Sequence, residues 1–174
     1  VPLIKGIATF VPGVSTLAHR RTGGSTSARY CYSVWLRHLV MAHDSGLPTR
    51  PEVVAELGPG DSLGVGLAAL LSGAGRYRGL DVKQHASSSR NLQVFDELVE
   101  LFTRRESIPG PVEFPSIKPA LESYQFPGHI LTEERLGETM QQARITSIRN
   151  SLSRMSTGSQ GDSTIAYVAP WYAS

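Results

Sequence analysis

Two carboxylates bracket a short glycine loop in this sequence. Glu56 stands two residues before Gly58, Gly60 follows across Pro59, and Asp81 lies 21 residues further on. Glycine at such a turn accepts positive φ and lets the backbone approach a ligand closely. A helix behind the loop directs free N–H groups and partial positive charge at it. An acid at Glu56 repels a pyrophosphate but attracts a ligand ammonium, and a carboxylate at Asp81 can accept both hydroxyls of a ribose. The glycines at 58, 60 and 64 are spaced G-x-G-x-x-x-G, not the G-x-G-x-x-G of dinucleotide sites. Gly60-Asp61-Ser62-Leu63-Gly64 also matches G-x-S-x-G, so Ser62 is a candidate hydrolase nucleophile. The five histidines (19, 38, 43, 85 and 129) show no His-x-x-x-His spacing, and no metal site is expected from them.

The elements around this loop predict an α/β fold. Val53 to Leu57 is β-branched and apolar, like a parallel strand covered on both faces. A helix is expected over 62–72 and a second strand over 77–82, making a right-handed βαβ unit. Before it, 27–43 reads as a helix with a stripe of Cys31, Val34, Trp35, His38 and Ala42 at helical spacing. On that stripe His38 and Cys31 read as core residues. After it, Asn91 is expected to cap a helix that buries Leu92, Phe95, Leu98, Val99 and Phe102. Five of the eleven prolines then fall within 108–127, which predicts an extended connection whose Tyr124, Phe126 and His129 are candidates for an acceptor pocket. Thr132 should cap a further helix with Leu136, Met140, Ala143, Ile148 and Leu152 inside. A Ser/Gly-rich turn (151–163) leads to a third strand at 164–168.

Glu56-Leu57-Gly58-Pro59-Gly60-Asp61-Ser62 resembles motif I of class I S-adenosylmethionine (SAM)-dependent methyltransferases. Gly79-Leu80-Asp81-Val82 is similar to their second motif, whose acid holds the SAM ribose. The segment from Ile165 to Trp171 falls where the family has its third strand and the loop beside the adenine. The wider pattern, from Tyr30 to His38 and on to Leu131-Thr132-Glu133-Glu134-Arg135, is similar to an uncharacterised bacterial group of that class. The resemblance implies a Rossmann-like parallel sheet and a SAM site formed by Glu56, Gly58, Pro59, Gly60, Ser62, Asp81, Val82 and Trp171. It implies methyl transfer to an acceptor that the motifs do not identify, with no catalytic base assigned. Departures are Ser62 in place of the third motif glycine, and Ala169-Pro170-Trp171 where an adenine-side acid often stands. The family's fourth and fifth strands have no counterpart before Ser174, so the sheet is expected to be incomplete and the chain to be the N-terminal portion of a longer enzyme.

Composition fits an ordinary globular chain: of 174 residues, 40% are hydrophobic and 18% charged. The expected layout is an N-terminal arm and helix over 1–50, then a SAM-binding domain over 51–174 with an insertion at about 108–155. One cysteine, Cys31, excludes an internal disulfide, and a reducing cytoplasmic setting is the default reading. No apolar run approaches the ~20 residues of a membrane-spanning helix. Residues 1–50 carry six basic groups against one acid, and the rest eleven against fourteen. The basic arm suits a phosphate or membrane surface, or is a solvated face; no aromatic interleaving points to nucleic acid. Two alternatives stand beside the methyltransferase reading: an α/β hydrolase using Ser62, and a non-catalytic Rossmann-like interaction domain.

Overall fold

The computed structural model describes residues 25–155 and 164–172; the arm up to residue 24, His19 and most of the Ser/Gly-rich turn lie outside them. Helix α1 (Ala28–Asp44) is followed by β1 (Val53–Leu57), α2 (Gly64–Leu71) and β2 (Arg76–Leu80). Then come α3 (Ser88–Arg104), α4 (Glu133–Thr139), α5 (Gln142–Arg154) and β3 (Ile165–Val168). The three strands pair in parallel in the order β1-β2-β3, with Glu56 opposite Gly79 and Gly79 opposite Tyr167. This is an α/β fold compatible with a Rossmann-like one.

Helix α2 is apolar all round, and Leu67 to Leu71 are fully buried between the sheet and α1 and α3. Its close seating depends on two small residues. A Cβ on Gly66 would sit 2.1 Å from the ring of Tyr77, and one on Gly64 would sit 2.4 Å from Cys31 Sγ. Gly64 is therefore a packing glycine, not a third member of the ligand loop. Leu63 N–H, at the start of α2, donates to Asn91 Oδ1 at 2.9 Å. Asn91 was expected to cap its own helix; Ser87 does that, and buried Asn91 caps α2 from the first turn of α3.

Helix α1 shares the same core, but rotated from its expected phase. Ala28, Cys31, Tyr32, Leu36 and Leu39 are buried, Val34, Trp35 and Ala42 half-buried, and His38 exposed with Nδ1 at 2.7 Å from Val34 O. Tyr32 and Leu36, both fully buried, mark the inward face, and Trp35 lies at its edge with Nε1 donating to Ser72 Oγ at 2.7 Å. The single helix expected after Thr132 is two. Thr132 caps α4, as expected, but the backbone extends at Gln141 before α5. That break resets the stripe to Ile145, Ile148 and Leu152 and leaves Ala143 exposed.

Strand β1 departs from expectation too. Its helix-side residues Val54 and Glu56 are half-buried, but Val53, Ala55 and Leu57 on the opposite face are exposed, Leu57 to 75%. Among the described residues, no element covers that face, and β1 pairs with β2 alone.

Candidate functional site

The glycine loop lies where the strand ends meet. Gly58 N–H donates to Leu80 O at 2.8 Å, extending the β1–β2 ladder by one rung. The chain then reverses through Gly58 (φ 70°) and Gly60 (φ 79°), both left-handed, which only glycine adopts without strain. Pro59 is buried between them. Nothing lies within 4 Å of the place a Cβ would take on Gly58, so the loop backbone is open there. On Gly60 that place is 3.0 Å from Ser25 Oγ.

Asp81 follows β2 directly and is 4% exposed. One carboxylate oxygen accepts from Val82 N–H at 2.7 Å, and the other from Gly60 N–H at 3.4 Å. Trp171 N–H donates to Asp81 O at 2.9 Å. The three strand ends thus bring Gly60, Asp81, Val82 and Trp171 together across 111 residues of sequence (171 minus 60). Val82 and Trp171, whose backbones bond Asp81, are exposed at 56% and 45% and so offer apolar surface near it.

Glu56 faces the helices, behind the loop. Its carboxylate accepts from Tyr77 Oη at 2.6 Å. Burial pushes the Glu56 carboxyl above its usual range and the charge of Asp81 adds to this, while the Tyr77 hydrogen bond opposes it. Burial, then the neighbouring Glu56, likewise raise the Tyr77 hydroxyl. Cys31, beneath the same loop and fully buried, has its thiol pushed up to about 12, chiefly by burial. It is a packing residue with no nucleophilic role.

Ser62 is 1% exposed, donates its hydroxyl to Ser25 O and accepts from Gly64 N–H at 3.1 Å. A nucleophile elbow presents its serine to substrate; this one is turned inward. Ser25 itself was not singled out by any motif. Its Oγ accepts from Asp61 N–H at 2.9 Å, and its carbonyl takes both the Ser62 hydroxyl and Cys31 Sγ–H at 3.5 Å. The segment before α1 is thereby strapped across the loop.

A second concavity lies at the other end of α1. Val40, Met41, Asp44, Leu121, Phe126 and His129 are among the residues around a cleft of about 550 Å³. Of the expected acceptor-pocket residues, Phe126 and His129 reach it. Tyr124 stacks under Arg37 instead, 5.0 Å from guanidinium carbon to ring centroid.

The fold defines a parallel α/β protein whose polar groups converge at the carboxyl ends of its strands. Compared with protein-family models, curated proteins and solved structures, the chain matches none. Among the described residues, no helix is long and apolar enough to cross a membrane.

Proposed function

We propose that this chain forms the cofactor site of a SAM-dependent methyltransferase. The observation that carries the reading is the convergence at the strand ends: a doubly left-handed glycine turn beside a carboxylate that closes the neighbouring strand. In open α/β sheets, the crevice beyond the strand carboxyl ends is where ligands bind.

The residue chemistry suits this group. Asp81 offers acceptor oxygens to a vicinal diol, the Gly58 backbone has open space beside it, and Val82 and Trp171 present apolar surface for an adenine. Glu56, behind the loop and bonded to Tyr77, supplies negative charge for an ammonium at a distance. Ser62 fits the start of α2 without touching the ligand, since its hydroxyl is committed to Ser25 and Gly64. At 4% exposure Asp81 receives a diol only when Gly60 lifts its N–H away; at 3.4 Å that bond is long and cheap to give up. SAM supplies a methyl group on a sulfonium that is already a good leaving group. The protein's task is then chiefly in-line positioning of an acceptor. The buried, doubly bonded Ser62 gives no support to hydrolase chemistry.

Calorimetry of the 174-residue chain with SAM and with S-adenosylhomocysteine tests the reading. Both should bind, and Asp81→Asn should weaken both by about tenfold or more, the value of one charge-assisted hydrogen bond of ~1.5–3 kcal/mol. Circular dichroism establishes that the variant is folded. Failure of both compounds to bind overturns the methyltransferase reading. Binding that Asp81→Asn leaves unchanged overturns the ribose assignment.

A further inference from the structure

The sequence spacing of the histidines offers no metal motif, but the fold brings two of them together with an aspartate. His43 and Asp44 are adjacent in the last turn of α1, and His129 lies 86 residues later (129 minus 43), in the turn that follows Pro127. One ligand atom from each of the three falls within 4.8 Å of the others. His43 Nδ1 stands 3.2 Å from Asp44 Oδ1, and the two imidazole rings meet edge to face with centroids 5.0 Å apart.

The backbone under each ligand is fixed. Ile130 and Leu131 N–H groups both donate to Pro127 O at 2.9 Å, and Pro127, Ile130 and Leu131 are buried, so the turn holds His129 outward at its tip. On the other side, α1 closes with Ser45 N–H bonded to Met41 O at 3.0 Å and Leu47 N–H to Ala42 O at 2.8 Å. A helix carboxyl end carries partial negative charge, which favours a cation there.

We propose that His43, Asp44 and His129 bind a divalent transition-metal ion of the zinc type. Two imidazoles and a carboxylate are nitrogen-rich borderline donors, which suit zinc or cobalt and not the all-oxygen preference of magnesium or calcium. Tetrahedral coordination at ~2.0–2.1 Å places donors ~3.3 Å apart, so the triad draws in by at most ~1.5 Å. All three side chains are exposed, which leaves their χ angles free to make this adjustment. Three protein donors leave a fourth position. Asp44 and His129 also border the cleft of about 550 Å³, so that position is accessible to water or to an anionic group of a molecule held there. The site is independent of the glycine loop: Cys31, beneath the loop, and His43 are twelve helical residues apart, ~18 Å along α1.

The untagged chain, stripped with chelator, is titrated with Zn²⁺ by calorimetry and with Co²⁺ by visible absorption. One equivalent should bind, and Co²⁺ should give the intense d–d bands of a tetrahedral site. His43→Ala, Asp44→Asn and His129→Ala should each lower affinity by on the order of 100-fold, since even outer-shell changes cost 10–100-fold. These exposed residues can be replaced with little effect on folding, which metal-free melting curves establish. Zn²⁺ should raise the melting temperature of the wild type and not of His129→Ala, because the ion ties two distant segments together. His38→Ala, a surface histidine on the same helix, should bind like wild type. Absence of saturable binding by the wild type overturns the proposal. So does binding indifferent to the triad, or loss in His38→Ala equal to the loss in His129→Ala.

Discussion

Glu56 sits behind the loop, bonded to Tyr77, in a position that burial and Asp81 make unfavourable for its charge. The sign of the consequence follows from linkage. With the folded-state value raised above 4.5, the folded chain binds more protons than the unfolded one in the pH range between 4.5 and that value. Its contribution is therefore fully present below 4.5 and is lost as pH rises through the folded-state value. Glu56→Gln keeps an acceptor for Tyr77 but cannot ionise. The variant should match wild type in melting temperature at acid pH and exceed it at neutrality. A wild-type–variant difference that does not grow with pH would remove burial as the cause. Under the proposed function the same substitution should also weaken SAM binding, separating stability from function at a single residue.

At the level of elements, α2 is the piece on which the site depends, because its start fixes the loop and its flank fixes β2. Gly66 is the point of closest approach: its missing Cβ is occupied by a fully buried Tyr77 ring, which also donates to Glu56. Alanine gains ~1 kcal/mol in helix propensity there, while the overpacking it forces costs ~1–3 kcal/mol or more. With the contact at 2.1 Å and no exposed side to yield, overpacking dominates. Gly66→Ala should lower the urea midpoint, whereas Gly137→Ala, with nothing within 4 Å, should not. Much of this element was legible in sequence: an apolar run between two strands can only be a buried crossover. The roles of Gly64, Gly66 and Asn91 were not, since each is defined by a partner from another element.

Across the whole molecule, the Pro-rich segment is held to α1 by one buried cation. Arg37, 1% exposed, donates to Ile117 O at 2.6 Å, to Pro109 O at 2.8 Å and to Ser33 Oγ at 3.0 Å. On the surface, Arg29 reinforces the same junction through a two-pronged pair with Glu113 at 2.7 and 2.8 Å. Exposed pairs of that kind contribute ~0–1 kcal/mol; the buried clamp matters more. Arg37→Leu leaves the buried Ile117 carbonyl without a donor, while Pro109 O keeps the Ser33 hydroxyl at 2.7 Å, and should cost about 2–3 kcal/mol. Its local signature is faster hydrogen exchange across 108–127. Unchanged exchange there would show that the segment is held by its apolar anchors, Ile108 and Ile117, instead. Among the described residues, the uncovered face of β1, with Val53 and Leu57 exposed, departs from a two-sided parallel sheet.

The sequence by itself determined the strand–loop–helix–strand unit and the placement of Asp81 at a strand end. Hydrophobic periodicity and glycine chemistry act over a few residues and need no partner to be read. It determined the cap at Thr132 for the same reason. Tertiary structure decided which face of α1 is buried, where the helix after Thr132 breaks, and that Asn91 serves α2. It decided that Ser62 turns inward under Ser25, and that His129 stands beside His43 and Asp44. Those outcomes depend on contacts between residues 28 to 86 positions apart, whose geometry no local pattern encodes.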